Sequence, residues 1–252
     1  MKPTILGVQI DNLSRTEVLR KIEHFLNSEE QHYIVTPNPE FIVAAQKDQE
    51  FTKILNKADI AIPDGMGLKI AARILHKQKI NRLAGVDLMI KICKLAAQKN
   101  KSIYLFGAGE GVAKKAVNKL KQKFPELKIA GAHSGGIINY QLSIINPKLN
   151  NSQNIAKIKS ANPDIILVAL GQVKQEKWIV QNLPKLPSVR LAMGVGGSFD
   201  YISKKTPRAP KFLRILGLEW LVRLILQPKR IKRIWNATAV FMWLVLKEKL
   251  TK

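Results

Sequence analysis

Short apolar runs alternating with stretches of helical spacing recur along most of the chain, and this alternation limits the available folds more than any other feature. Ile5–Ile10, His32–Thr36, Ala58–Ile62, Ser102–Phe106, Lys128–Ala132, Ile165–Leu170 and Val189–Val195 read as strands. Helical spacing runs from Ser14 to about Asn27, where Ser14 and Glu17 stand at capping-box distance. It resumes over Glu40–Asn56, Gly67–Leu75, Asp87–Asn100, from Gly111 to about Phe124, and over Ser152–Ser160 and Gln175–Asn182. Strands that are almost continuously apolar must be covered on both faces, and strands that alternate with helices pair in parallel. The expected class is therefore α/β: a Rossmann-like, mostly parallel sheet with helices on both faces. A chain of 252 residues can bury a core for one such domain plus an accessory segment.

The accessory segment shows itself by charge. Over the whole chain 42 Lys and Arg face 18 Asp and Glu, a formal net charge of +24. Part of this excess is lysine scattered over exposed helix faces, but between Lys204 and Arg233 ten basic residues stand with a single acidic one, Glu219. Leu, Ile, Phe and Trp are interleaved with them. The expected division is an α/β domain over residues 1–200 and a basic, amphipathic helical appendage over residues 201–252. Ile234–Leu246 is mostly apolar yet too short to cross a bilayer, which takes about 20 residues. Basic residues and tryptophans on amphipathic helices suit an element lying in the headgroup plane; a helical pair packed on the core or on another subunit is the plainer alternative. A nucleic-acid-binding α/β protein would account for the charge equally well, although no nucleic-acid motif accompanies it. No signal peptide and no long apolar run is seen, so the expected location is cytoplasmic, with peripheral attachment to the inner face of the membrane. Cys93 is the one cysteine, which excludes an intrachain disulfide and a cysteine metal cluster.

In open α/β sheets ligands bind beyond the carboxyl ends of the strands. Small and polar clusters fall at those ends: Thr36-Pro37-Asn38, Pro63-Asp64-Gly65, Gly107-Ala108-Gly109, His133-Ser134-Gly135-Gly136, Gly171-Gln172 and Gly194-Val195-Gly196-Gly197. Asp64 leaves an apolar strand between Pro63 and Gly65, a setting that suits a carboxylate to general-base work; it equally suits an N-cap for the next helix. The glycines Gly107, Gly109, Gly171, Gly194 and Gly196 are candidates for holding a nucleotide through backbone amides. The Gly107–Gly111 loop departs from the dinucleotide fingerprint, because Val112 replaces its third glycine and no acidic residue ends the following strand. The histidines His24, His32, His76 and His133 lack ligand spacing, and no Asp-x-Asp pair occurs, so no metal and no cofactor is expected. Arginines, among them Arg82, Arg208 and Arg214, would then have to stabilise a diphosphate leaving group.

Several segments, in order and spanning nearly the whole chain, together resemble the WecG/TagA/CpsF family of bacterial glycosyltransferases. They are Thr36-Pro37-Asn38-Pro39-Glu40, Ala58 to Gly67 with Pro63-Asp64-Gly65-Met66-Gly67, Arg82-Leu83-Ala84-Gly85-Val86-Asp87, Leu170 to Trp178, Gly194 to Asp200, Arg208-Ala209-Pro210, and Gly217 to Leu224 with Gln227-Pro228-Lys229-Arg230. The resemblance implies an inverting transfer of N-acetylmannosamine, or a related hexose, from a UDP-sugar to N-acetylglucosamine linked to undecaprenyl diphosphate, in wall teichoic acid or surface polysaccharide assembly. By it Asp64 matches the base, Thr36, Asn38, Arg82 and Gln175 match positions holding donor and acceptor, and Arg208, Arg214 and Arg223 match arginines of a membrane-docking appendage. The implied partners are the UDP-sugar, the lipid-diphosphate acceptor and an anionic membrane surface, with no nucleic acid. Val173 departs from the pattern, standing where the family usually has proline.

Overall fold

A computed structural model of the chain describes residues 2–135 and 147–251. In chain order the elements are β1 (Thr4–Ile5), β2 (Val8–Gln9), α1 (Arg15–Asn27), β3 (His32–Val35), α2 (Pro39–Ala45), α3 (Gln49–Asn56), β4 (Ile60–Ala61), α4 (Met66–His76) and α5 (Gly85–Gln98). There follow β5 (Ser102–Gly107), α6 (Val112–Lys123), β6 (Lys128–His133), α7 (Pro147–Ala161), β7 (Ile165–Ala169), α8 (Lys174–Asn182), β8 (Leu191–Gly194) and α9 (Ser198–Ile202). The C-terminal part holds α10 (Lys211–Leu216), α11 (Glu219–Leu226), α12 (Ile231–Trp235) and α13 (Phe241–Thr251). A π-helical turn over Asn236–Val240 joins the last two.

Six strands form one sheet in the order β4-β3-β8-β7-β5-β6, and β3 with β8, β8 with β7, β7 with β5 and β5 with β6 all run parallel. Every residue of β7 and β8 is buried. Successive side chains of a strand point to opposite faces, so both faces are covered, which is why these segments read as unbroken apolar runs. On one face Tyr104, Phe106, Ile166, Val168 and Ala192 pack with Ile158 of α7 and with Trp178 and Ile179 of α8.

The chain forms two compact units. The first comprises Met1–Thr16, Val35–Ala84 and Pro207–Lys252; the second comprises Glu17–Ile34 and Gly85–Thr206. Within the first, the last helix joins the core: Phe241 and Val245 of α13 are wholly buried, and α13 packs on α4 and α2. Phe241 lies beside Gly67, the Glu248 carboxylate accepts the Leu6 N–H at 3.1 Å, and Arg233 forms a two-point pair with Glu40 at 2.6 and 3.0 Å.

Two expectations need correction. Ile5–Ile10 is not one strand but a hairpin, with β1 antiparallel to β2. Leu6 and Gly7 turn it at φ of 49° and 80°, the paired positive φ values of a two-residue hairpin turn. Asn56 fixes that turn by accepting the Gln9 N–H and donating to the Gly7 carbonyl, both at 2.9 Å. Nor is Glu40–Asn56 one helix. Asp48 caps a new one by accepting the Phe51 N–H at 2.9 Å, and Thr52 Oγ1 closes the break by donating to Ala45 O at 2.7 Å. Apolar periodicity carries across such a break because both helices bury the same side, so spacing alone does not reveal it.

Candidate active site

In the first unit, backbone pairing brings the strand-end residues together. The Ile62 N–H donates to Val35 O at 3.0 Å, the Asp64 N–H to Pro37 O at 2.7 Å, and the Leu83 N–H to Pro63 O at 3.2 Å. Asp64 thus stands beside the Thr36–Asn38 segment and beside Arg82. The N-cap of α4 is Gly65, at φ 101°, so Asp64 occupies the position before the cap and is only half-buried. Asp11 steadies the strand that delivers it, since its carboxylate accepts the Ala61 N–H at 2.7 Å and its own N–H donates to Ala61 O at 2.9 Å.

Thr36 is buried. Asn38 caps α2, its Oδ1 accepting the Phe41 N–H at 3.0 Å. The appendage reaches the same cluster: Arg82 Nη2 donates to Arg214 O at 2.8 Å. Gly217, at φ 78°, ends α10 against Met66, where a Cβ would collide with the Met66 side chain; only glycine both takes that backbone turn and permits that approach. Arg208 lies 3.5 Å from Glu219. Arg214 Nε is buried and donates no hydrogen bond. Asp64, Thr36, Asn38, Arg82, Arg208, Arg214 and Arg223 all belong to this unit.

The second unit gathers Gly107, Gly109, Gly171, Gly194 and Gly196 at the carboxyl ends of the neighbouring strands β5, β7 and β8. Gly107 pairs with Ala169 and Val168 with Gly194. Lys205 brings its ammonium near Gly109. Gln175 is 2% exposed, with its amide oxygen accepting the Gly196 N–H at 2.9 Å and its nitrogen donating to Glu176 at 2.6 Å. Both ends of that side chain are therefore spent on bracing the loop after β8.

Sequence reasoning missed Glu176 as more than a helical residue. It is 1% exposed, and burial pushes its carboxyl up from 4.5 to about 7 against the lowering effect of the Gln175 amide and of the Glu176 and Val173 N–H groups. The glutamate supplies half of a capping box, accepting the Val173 N–H at 2.7 Å; valine has no side-chain acceptor to return it. The signal was a glutamate three residues into a helix, which by itself marks only an N-terminus. Elsewhere, burial lowers His133, whose ring lies between Tyr104 Oη and Asn154 Oδ1 at 3.0 Å each. Its neighbour Gly136 lies outside the described residues. Burial pushes the Cys93 thiol up to about 12, leaving it inert as a nucleophile. Among the described residues no three His, Cys, Asp or Glu side chains are grouped to hold a metal ion.

The profile of the "Glycosyl transferase WecG/TagA/CpsF family" matches residues 3–252. The chain is 35% identical over 248 residues to an N-acetylglucosaminyldiphosphoundecaprenol N-acetyl-beta-D-mannosaminyltransferase of Bacillus subtilis (strain 168), covering 98% of this chain and 92% of that protein. It is 31% identical over 250 residues to a protein of the same name from Staphylococcus aureus (strain NCTC 8325 / PS 47), covering 98% and 93%. The nucleic-acid-binding alternative draws no support from these relatives.

Proposed function

The chain belongs to the WecG/TagA/CpsF family of glycosyltransferases, and from that premise we propose that it moves N-acetylmannosamine from a UDP-sugar to N-acetylglucosamine on an undecaprenyl diphosphate at an anionic membrane surface. The relatives' printed names give the acceptor and the sugar. The reaction is an inverting displacement. Asp64 takes the proton from the acceptor hydroxyl as its oxygen forms a bond to the anomeric carbon, and the bond from that carbon to the diphosphate breaks, UDP leaving with the electron pair.

The observation that carries this reading is the convergence of Asp64 with the Thr36–Asn38 segment, Arg82 and Arg214 through hydrogen bonds at residues 64, 83 and 82. Arg82 and Arg214 are assigned to the departing diphosphate, because guanidinium groups pair bidentately with phosphate oxygens. Arg214 Nε, buried with no acceptor of its own, is a donor that an anion would satisfy. The base is the carboxylate of the cluster, and Thr36 and Asn38 orient the sugars. In the second unit, the glycine loops at the ends of β5, β7 and β8 are assigned to the nucleotide, and Gln175 is assigned to holding one of them.

The membrane assignment rests on the appendage. Phe212, Leu216, Ile225, Ile231 and Trp235 are 62–70% exposed, on helices that also carry Arg and Lys, and neither α11 nor α12 buries a residue. No helix among the described residues is long and apolar enough to cross a membrane, which fits attachment at the headgroup plane.

A thermal-shift screen of UDP-sugars tests nucleotide use and donor identity together. The true donor at about 100 times its Kd adds about 2.7 kcal/mol of stability and raises Tm by several degrees. A screen in which no UDP-sugar moves Tm, while another nucleotide class does, overturns the reading.

A further inference from the structure

The second unit contains a carboxylate that the reaction does not use, joined to one of the glycine loops. Glu176 Oε2 accepts the Val173 N–H at 2.7 Å, and Oε1 accepts from Gln175 Nε2 at 2.6 Å. Gln175 Oε1 in turn accepts the Gly196 N–H at 2.9 Å. A Cβ on Gly194 would lie 2.5 Å from Glu176 Oε1 and 2.6 Å from Gln175 Nε2, so the pair rests directly on the end of β8.

The polarity of this chain of bonds has a single source. An ionised carboxylate only accepts and a backbone N–H only donates. With Glu176 ionised, the Gln175 amide must turn its NH2 toward the carboxylate, and its oxygen is thereby turned toward Gly196. A proton on the oxygen facing Gln175 makes that oxygen a donor. The amide then turns its own oxygen to the carboxyl, its NH2 meets the Gly196 N–H donor to donor, and the loop loses its anchor. The backbone on the other side is under strain as well. Val173 provides its N–H from φ 70° and ψ −52°, a conformation that a β-branched residue keeps only where its surroundings impose it.

We propose that Glu176 is a positioning residue: through Gln175, its ionised carboxylate holds the Gly196 N–H and fixes the Gly194–Gly197 loop, and its protonation releases that loop. No charged side chain is among the groups that set its titration; burial acts against the Gln175 amide and the Glu176 and Val173 N–H groups, and places the change at about pH 7. Lys174 and Lys177 on the same helix are not among those groups. The consequence for donor binding rests on assigning Gly194 and Gly196 to the nucleotide; the relay itself does not.

The test uses the full chain labelled with 15N-glycine, whose 15 glycines keep the amide spectrum simple, with the Gly196 signal identified by its loss in Gly196→Asn. In the unmodified protein the Gly196 amide shift follows pH with a midpoint near 7. In Glu176→Gln it stays near its low-pH position from pH 5.5 to 8.5, because the glutamine presents an amide in place of an acceptor-only carboxylate. Gln175→Leu, which cuts the relay and leaves Glu176 in place, likewise abolishes the titration. A flat Gly196 signal in the unmodified protein, or an unchanged titration in either folded variant, overturns the relay; if neither variant folds, the unmodified protein decides alone. Calorimetry with UDP-N-acetylmannosamine, whose diphosphate does not titrate in this range, reads the consequence: affinity falls about tenfold from pH 8 to pH 6, and not at all in Glu176→Gln. Affinity independent of pH while Gly196 titrates overturns the positioning role. Absence of any UDP-sugar binding while Gly196 still titrates marks failure of the transferase reading instead.

Discussion

Gly194 is a glycine for reasons of space. Its backbone φ is ordinary, but the buried Gln175–Glu176 pair occupies the volume a side chain would need. Gly194→Ala is therefore expected to lower stability by about 1–3 kcal/mol, the usual cost of forcing a methyl into a packed site, as read by urea denaturation; a change below 0.5 kcal/mol would show that the pair moves aside freely. The same locality shows what a sequence can disclose about a residue. Asp64 was legible because an apolar strand running into Pro-Asp-Gly places a carboxylate at a strand end whatever the rest of the fold does. Glu176 was not, because its burial arises when α8 packs on the end of β8, a contact that no pattern in the helix itself announces. Gln175 shows the reverse gap: its position in a recognisable segment was plain, but its commitment to Glu176 and Gly196 was not.

Among elements, those made by local chemistry with long apolar runs were readable, and those decided by side-chain bonds were not. The central strands β7 and β8 are legible because both faces of each are buried, whereas the edge strand β6 buries no residue. The break between α2 and α3 depends on Asp48 and Thr52, and the β1–β2 turn depends on Leu6 accepting a positive φ under the grip of Asn56 and Gln46. The C-terminal helices divide in the same way: α11 and α12 bury nothing, whereas α13 is anchored by Phe241 and Val245. Phe241→Ala should cost about 3–5 kcal/mol, the range for emptying a buried aromatic site, and should expose α13 to hydrogen exchange before the rest of the first unit. Exchange protection in α13 equal to that of the unmodified protein would contradict its role as the anchor.

Across the whole molecule, the proposed docking assigns a formal charge of +24 and the exposed apolar side chains of the appendage to the same partner. On that proposal, charge would draw the protein to an anionic surface at long range, more weakly as salt rises, and the tryptophan and leucine side chains would hold it there. Removing everything after Asp200 would test this poorly, because it strips Phe241 from the first unit's core. Replacing Trp220, Ile225, Ile231 and Trp235, which are 41–70% exposed, by asparagine leaves that core intact. That variant is expected to lose at least tenfold in co-sedimentation with anionic vesicles, with Tm held within about 2 °C; unchanged partition would refute docking through this face.

The most direct measurement is single-turnover transfer from UDP-N-acetylmannosamine to the lipid-diphosphate acceptor in vesicles, comparing the unmodified protein with Asp64→Asn. Removing the proposed base is expected to lower the rate by about 10²–10⁴, with Tm and donor affinity preserved. Transfer by Asp64→Asn at close to the unmodified rate would contradict it.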